Sequence, residues 1–209
     1  RYGLTTNADT HMMKNSEWAV VAYLSQSAYG KLGNENFSGA NKEIYQNKSD
    51  QYITGCSYGS PSNSNTDYGC QYTYDVNGSG TGASTTGNIY GIYDMSGGAW
   101  EYVMGNYNDV VGGSGFTSMP DSKYYDKYTS SDINTACNGS ACLSHGLSET
   151  IGWYNDAASM VNTMYAWLLH SGGYSPLAGA AGIFYFYVGG GVVGNANIDG
   201  SFRLTLTIG

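Results

Sequence analysis

The hydrophobic and polar positions of residues 16–29 repeat with the period of an α-helix. Small or apolar side chains recur three and four positions apart, which places them on one helical face. This face holds Trp18, Val21, Ala22, Ser25 and Ala28. Asn15 or Ser16 can cap the first turn, and Gly30 is expected to end the helix. The pattern predicts one amphipathic helix near the start of the chain.

Strict alternation marks the other end of the chain. Between residues 201 and 208 apolar side chains alternate with polar ones, which predicts a strand with one buried face. The expected core-facing set is Phe202, Leu204, Leu206 and Ile208. Residues 183–188 are continuously apolar or aromatic and predict a second strand, with Phe184 and Phe186 in the core. The Gly- and Asn-rich stretch 189–200 is expected to join the two strands as an antiparallel hairpin.

The remaining pattern predicts one more strand and a long loop region. In residues 99–104, Trp100, Tyr102 and Met104 are expected to face the core of a strand. Residues 33–88 are mostly Asn, Ser, Gly, Thr and Tyr and sustain neither helical nor strand periodicity. Without a repeat or a linker, residues 1–209 are expected to form a single domain, excised from a longer surface protein.

Composition narrows the classes of partner. Only 11% of the residues are charged, the net charge is -8, and no basic cluster occurs, so neither nucleic acid nor an anionic membrane is an expected partner. No apolar run is long enough for direct membrane insertion. The chain has 21 Tyr but 5 Phe, which suits a wet binding face and equally suits half-buried strands.

The four cysteines form two local pairs on Gly-, Asn- and Ser-rich segments. We expect two structural disulfides, Cys56–Cys70 and Cys137–Cys142, and therefore an oxidising compartment. The alternative is a metal site that uses His145 after Cys142, but its spacing matches no common zinc pattern. The cysteines thus favour a secreted or cell-surface location.

Three segments resemble the formylglycine-generating-enzyme, or sulfatase-modifying-factor, family. Asn15-Ser-Glu-Trp-Ala-Val-Val-Ala-Tyr23 is similar to the family's helix with a Glu-Trp-x-x-x-Ala core. Gly91-Ile-Tyr-Asp-Met-Ser-Gly-Gly-Ala-Trp-Glu-Tyr-Val103 resembles its Gly-Leu-Tyr-Asp-Met-x-Gly-Asn-x-Trp-Glu-Trp motif. His170-Ser-Gly-Gly-Tyr174 and Ser201-Phe-Arg-Leu204 resemble Arg-Gly-Gly-Ser-Trp and the closing Gly-Phe-Arg-Leu. The resemblance implies an α+β, C-type-lectin-like fold with few helices, short antiparallel strands and long ordered loops.

The catalytic ligands of this family have no counterpart here. Its cysteine-oxidising members hold copper with a thiolate pair in the C-terminal portion, whereas every Cys of this chain precedes His170. Its iron-dependent members use three His, and His11, His145 and His170 are widely scattered. The resemblance therefore implies a non-enzymatic protein without copper, while an oxidase of the formylglycine-generating type remains the less favoured alternative.

The resemblance also implies a structural calcium site beside the Trp-Glu motif. Its ligands would be the carbonyls of Ser96, Gly97 and Ala99 with the Glu101 carboxylate. Gly98 replaces the motif's Asn. The alternative is that Glu101 hydrogen-bonds buried backbone amides beside Trp100.

Non-catalytic members of this fold bind ligands through their C-terminal third. By this resemblance the chain is an adhesin or receptor-binding domain on a bacterial or phage surface, which binds a glycan or a protein. The expected ligand-binding residues are Tyr165, Trp167, Leu169, His170, Tyr174, Ser175, Leu177, Val192, Asn195, Asn197 and Asp199. The alternative for Trp167 and Leu168 is a position in the core. Residues 33–88 are the next candidate surface, and a pilus or filament head subunit is the alternative function.

Overall fold

The computed structural model describes residues 8–35, 42–61, 69–131, 150–173, 181–188 and 198–208. Several residues singled out from the sequence lie outside these ranges: Cys137, Cys142, His145, Tyr174, Ser175, Leu177, Val192, Asn195 and Asn197. Within the described part, the protein combines one α-helix with two small β-sheets and extensive irregular backbone, which is a mixed α+β architecture.

Helix α1 spans Asn15–Ser25, close to the predicted helix. Its first turn is closed by two carboxylates: Lys14 N donates to Glu17 Oε2 at 2.8 Å, and Ser16 N donates to Asp126 Oδ2 at 2.6 Å. The expected end at Gly30 is wrong. Ser25 Oγ and Ser27 Oγ donate to the carbonyls of Ala22 and Leu24, and such hydroxyl contacts compete with the next helical turn.

The strands are β1 (Ala8–Met12), β2 (Trp100–Tyr107), β3 (Asp126–Tyr128), β4 (Trp167–Ser171), β5 (Gly182–Tyr187), β6 (Gly200–Phe202) and β7 (Leu204–Ile208). The larger sheet has the order β3-β2-β4-β5, and β6 also pairs with β2. Strand β4 is antiparallel to both neighbours, whereas β3 and β6 run parallel to β2. Strands β1 and β7 form a separate antiparallel ribbon.

The predicted hairpin between residues 183–188 and 201–208 is wrong. Strand β5 exists as expected but pairs with β4, and the C-terminal segment divides into β6 on β2 and β7 on β1. Its apolar face also points outward, because Phe202, Leu204 and Leu206 are 57%, 59% and 43% exposed. The polar side chains at 201, 203 and 205 are half-buried instead, and Arg203 reaches the buried Glu101.

Strand β2 also differs from its predicted orientation. Val103 faces the main core and Glu101 is buried, while Trp100 and Tyr102 are only half-buried. Met104 is buried as expected, but in a second cluster with Trp167. Both faces of the strand are covered at its centre, so simple alternation does not identify the core side.

The main core lies between α1 and the larger sheet. Phe184 and Phe186 are both about 1% exposed, which confirms their predicted core positions. The other buried members of this cluster are Met13, Trp18, Ala19, Ala22, Ile44, Met95, Val103, Tyr128, Met160, Val161, Leu168, Ile183 and Val188. With 11 residues, α1 is the longest helix described, and no described helix has the length and apolar character needed to cross a membrane.

The predicted loop region is held by internal cross-links. Between residues 42 and 99, the described backbone contains only the 3-10 turn Thr81–Ala83 as a helix and no strand beyond isolated bridges. Cys56 and Cys70 form the expected disulfide. Lys31 is fully buried, donates to the carbonyls of Glu43 and Gly82, and places its ammonium 3.8 Å from the centre of the Tyr45 ring. The Lys31 amine thus joins the region after α1 to two separate loops.

Truncating a core side chain should lower the free energy of unfolding more than truncating a side chain of the β1–β7 ribbon. Leu168→Ala removes a fully buried side chain and is expected to lower the free energy of unfolding by about 2–5 kcal/mol. Leu206→Ala, on the exposed face of β7, should change it by no more than about 0.5 kcal/mol. Urea denaturation of both variants checks this orientation, and equal losses would contradict it.

Lys31 predicts how stability changes with pH. Burial lowers the pKa of Lys31 from 10.5 to about 7, so between these values the unfolded chain holds a proton that the folded protein lacks. Stability should therefore rise with pH, by up to about 1.4 kcal/mol per unit. Urea denaturation between about pH 7 and pH 9 measures this slope. Lys31→Met should flatten it, and an unchanged slope in the variant would argue against the buried amine as its source.

Candidate functional site

The segments that carry the family resemblance meet in the centre of the molecule. Trp18 from α1 stacks on His170 from β4, with ring centroids 4.5 Å apart. His170 Nε2 lies 2.7 Å from Asn15 Oδ1, a contact in which the neutral imidazole is the donor. Burial lowers the pKa of His170 to about 3, so this ring is neutral at physiological pH.

A buried ion pair joins β2 to the segment between β6 and β7. Arg203 Nε donates to Glu101 Oε2 at 2.5 Å, and a second guanidinium nitrogen donates to the other carboxylate oxygen. The same guanidinium donates to the carbonyls of Tyr93 and Asp94 at 3.2 and 3.1 Å. It also lies 5.3 Å from the ring of Trp18. Burial raises the pKa of Glu101, and the charge and hydrogen bonds of Arg203 act against that rise.

Backbone contacts around Gly97 tie the second motif to β4 and to the loop at Asn47. Gly97 N donates to Ser171 O at 2.7 Å, and Ser171 Oγ donates to the carbonyls of Gly97 and Ala99 at 2.5 and 3.0 Å. Gly98 has a φ of 72°, in the left-handed region that Gly adopts freely and Asn tolerates better than most residues. This backbone requirement explains how Gly can stand where the resembling motif has Asn.

The groups expected to hold calcium do not fit that ion. The Ser96 carbonyl accepts from Asn47 N at 2.8 Å, and the Gly97 and Ala99 carbonyls accept from Ser171 Oγ. Both oxygens of Glu101 bind the Arg203 guanidinium, whose positive charge repels a cation. The alternative role for Glu101 was a set of hydrogen bonds from backbone amides, but its carboxylate accepts from the Arg203 side chain instead.

A polar cavity opens beside this ion pair. It measures about 360 Å³ and is lined by Asn47, Tyr52, Thr54, Tyr93, Asp94, Gly98, Ala99, Glu101, Ser201, Phe202 and Arg203. The Asp94 carboxylate accepts from Asn47 Nδ2 and Gly55 N, which fixes one wall. Tyr52 Oη donates to Asp199 Oδ1 at 2.7 Å and so connects the loop wall to the entry of β6.

An apolar cavity of about 290 Å³ lies beside the same strand. Its walls are Met12, Tyr102, Val103, Met104, Ser114, Phe116, Trp167, Gly200, Ser201 and Phe202. Ser201 and Phe202 therefore contribute to both cavities. Strand β6 separates a polar compartment from an apolar one.

Most of the described residues from the expected ligand-binding set are not on an open surface. Trp167, Leu169 and His170 lie in β4 and are at most 4% exposed, because β4 is covered by strands on both edges and by side chains on both faces. Their assignment to an exposed binding face is wrong, although Trp167 contributes a wall to the apolar cavity. Tyr165 and Asp199 are half-buried, and Asp199 accepts a hydrogen bond from Tyr52, which lines the polar cavity.

The sequence named residues 33–88 as the second candidate surface but singled out none of the cavity residues that loops contribute. Tyr52 and Thr54 belong to the aperiodic stretch 33–88, and Phe116 follows a Gly-rich turn, so no periodic signal marks them. Asp94 does lie in the second motif. An acidic side chain within that motif was the one feature of the sequence that could have marked Asp94 as a cavity residue.

The ion pair should behave as a coupled unit. Arg203→Met leaves the buried Glu101 carboxylate without its partner and is expected to lower the free energy of unfolding by about 3–5 kcal/mol. Glu101→Leu leaves the partly exposed guanidinium of Arg203 and should lower it less. The double substitution should cost less than the two single changes together. As a matched control, Lys127→Met removes an exposed ion pair with Asp109 and should change stability much less. Strict additivity in urea denaturation would show that the two buried side chains are not coupled.

Comparison with known proteins assigns neither a family nor a function to this chain. No protein family matches the chain, and neither the curated proteins nor the solved structures contain a match. The chemistry of the site itself is therefore the basis for inferring a function.

Proposed function

We propose that this chain is a non-enzymatic ligand-binding domain with a C-type-lectin-like fold, displayed on a bacterial or phage surface, that binds a glycan in the polar cavity beside β6. In this proposal it acts as an adhesin or receptor-binding module. Its ligand contacts come from the C-terminal segment around Asp199–Phe202 together with the loop at residues 47–54.

The convergence of the resembling motifs supports the family part of the proposal. Segments far apart along the chain meet through Trp18–His170, Glu101–Arg203 and Gly97–Ser171 contacts. Among the described residues, a single α-helix, short strands and long irregular loops also fit such a fold. The Cys56–Cys70 disulfide is consistent with an extracellular location.

The use of the central ionisable groups supports binding rather than catalysis. His170 is neutral and fully buried between Trp18 and Phe186, and Glu101 is paired with Arg203. General acid–base catalysis needs a group that exchanges protons near the working pH and reaches the substrate. These residues instead hold strands and motifs together.

The composition of the polar cavity is the observation that carries the proposal. A carboxylate accepts about four hydrogen bonds, and the described contacts to Asp94 come from Asn47 and Gly55. A guanidinium, the Thr54 hydroxyl and two tyrosine rings line the same space. Hydroxyl-rich ligands need this combination of charged acceptors, donors and aromatic surface within one concave site.

Blocking the cavity should abolish binding without unfolding the protein. Thr54 is exposed and lines the cavity, so Thr54→Trp fills it without changing the core. On a glycan array, the parent should bind a defined set of glycans, and the variant should lose at least about tenfold in affinity for them.

Thr163→Trp is the matched control, because Thr163 is also exposed and lies outside the cavities described above. It should bind like the parent, and thermal melting should show that both variants remain folded. Glycan binding that survives Thr54→Trp would place the ligand elsewhere. A parent that ignores every glycan but binds protein ligands would replace a glycan with a protein partner.

A further inference from the structure

The apolar cavity beside β6 is built mainly from rings and thioethers. Tyr102, Phe116, Trp167 and Phe202 contribute aromatic walls, and Met12 and Met104 contribute flexible ones. Phe116 and Trp167 pack edge to face, with ring centroids 5.8 Å apart. Such a wall favours an apolar occupant, since water in it gains few hydrogen bonds.

Three hydrogen-bonding side chains at this cavity are already engaged inside the protein. Trp167 Nε1 and Ser114 Oγ both donate to the Val111 carbonyl, at 3.0 and 2.8 Å. Ser201 Oγ donates to the Trp100 carbonyl at 3.1 Å. A polar ligand group in this cavity would lose its hydrogen bonds to water and find these donors occupied, which costs binding free energy. The cavity therefore selects an apolar group.

Strand β6 brings this apolar space next to the polar cavity. Both spaces share Ser201 and Phe202 as walls. The strand is only three residues long, and the Phe202 side chain is 57% exposed. One ligand can thus contact both compartments by crossing the ring of Phe202.

We propose that the natural ligand is an amphipathic glycoside, with its sugar in the polar cavity and an apolar aglycone of the same molecule in the cavity lined by Phe116 and Trp167. This inference rests on the proposed glycan-binding function and names the class of glycan. The sugar supplies hydroxyls for Asp94 and Thr54, and the aglycone supplies the surface that the rings bury.

Burial of the aglycone predicts a measurable gain over the sugar alone. Removing a ring or short alkyl chain from water should tighten binding by about tenfold or more. Methyl, phenyl and hexyl glycosides of glucose, galactose, mannose and N-acetylglucosamine are suitable probes, and saturation-transfer NMR titration measures their affinities. The phenyl series tests a flat aglycone, and the hexyl series tests the chain of a lipid-like one.

Two variants locate the gain. Phe116→Ala removes a cavity-lining ring that is 40% exposed in the folded protein. Ser114→Leu replaces a small lining side chain with a larger one and so reduces the cavity volume. Each should bring phenyl and hexyl glycosides close to the affinity of the methyl glycoside and leave the methyl glycoside itself unchanged. Leu206→Ala, on the exposed face of β7 and outside both cavities, is the control and should alter none of the affinities.

The outcomes separate this inference from the function on which it rests. Equal affinity for methyl, phenyl and hexyl glycosides would overturn the inference while leaving glycan binding in place. Binding of phenyl or hexyl compounds regardless of the sugar would overturn it as well, because the apolar cavity would then act alone. No binding of any glycoside would overturn both proposals. A gain that persists in Phe116→Ala and Ser114→Leu would place the aglycone outside this cavity.

Discussion

The ion pair between Glu101 and Arg203 determines how the C-terminal segment is arranged. A buried carboxylate is costly unless an opposite charge and hydrogen bonds compensate it, and Arg203 supplies both while also binding two loop carbonyls. To reach Glu101, the polar side of residues 201–205 has to face inward, which leaves Phe202, Leu204 and Leu206 outside. The position of β6 between two cavities is a consequence of this single electrostatic requirement.

Contacts of neighbouring side chains connect further segments of the chain to this ion pair. Trp18 lies against both His170 and the Arg203 guanidinium, so α1 is attached to β4 and to the ion pair through one indole ring. Ser171 and Gly97 then link β4 to the loop that approaches β2. Four short segments that lie far apart along the chain thus pack into one centre from which the loops extend.

Local patterns predicted the features that depend on local sequence. The helix, β5 and the Cys56–Cys70 disulfide follow from spacing and composition within a few residues. The orientation of residues 201–208 could not be predicted from alternation, because alternation defines two faces of a strand without saying which one is buried. The buried side is set by the ion pair of Arg203 with Glu101, which lies 102 positions earlier in the sequence. The cavities could not be predicted either, since Thr54 and Phe116 each meet Phe202 at a cavity only through long-range packing.

The anchoring of the loop at Asn47 has a consequence for the energetics of recognition. Asn47 N donates to Ser96 O, Gly98 N donates back to Asn47 O, and the Asn47 side chain binds Asp94 and the Ile53 carbonyl. One wall of the polar cavity is therefore ordered before any ligand arrives. A preorganised wall spares the ligand the conformational entropy of ordering a loop, so even a small, weakly hydrophobic ligand can retain most of its interaction energy as affinity.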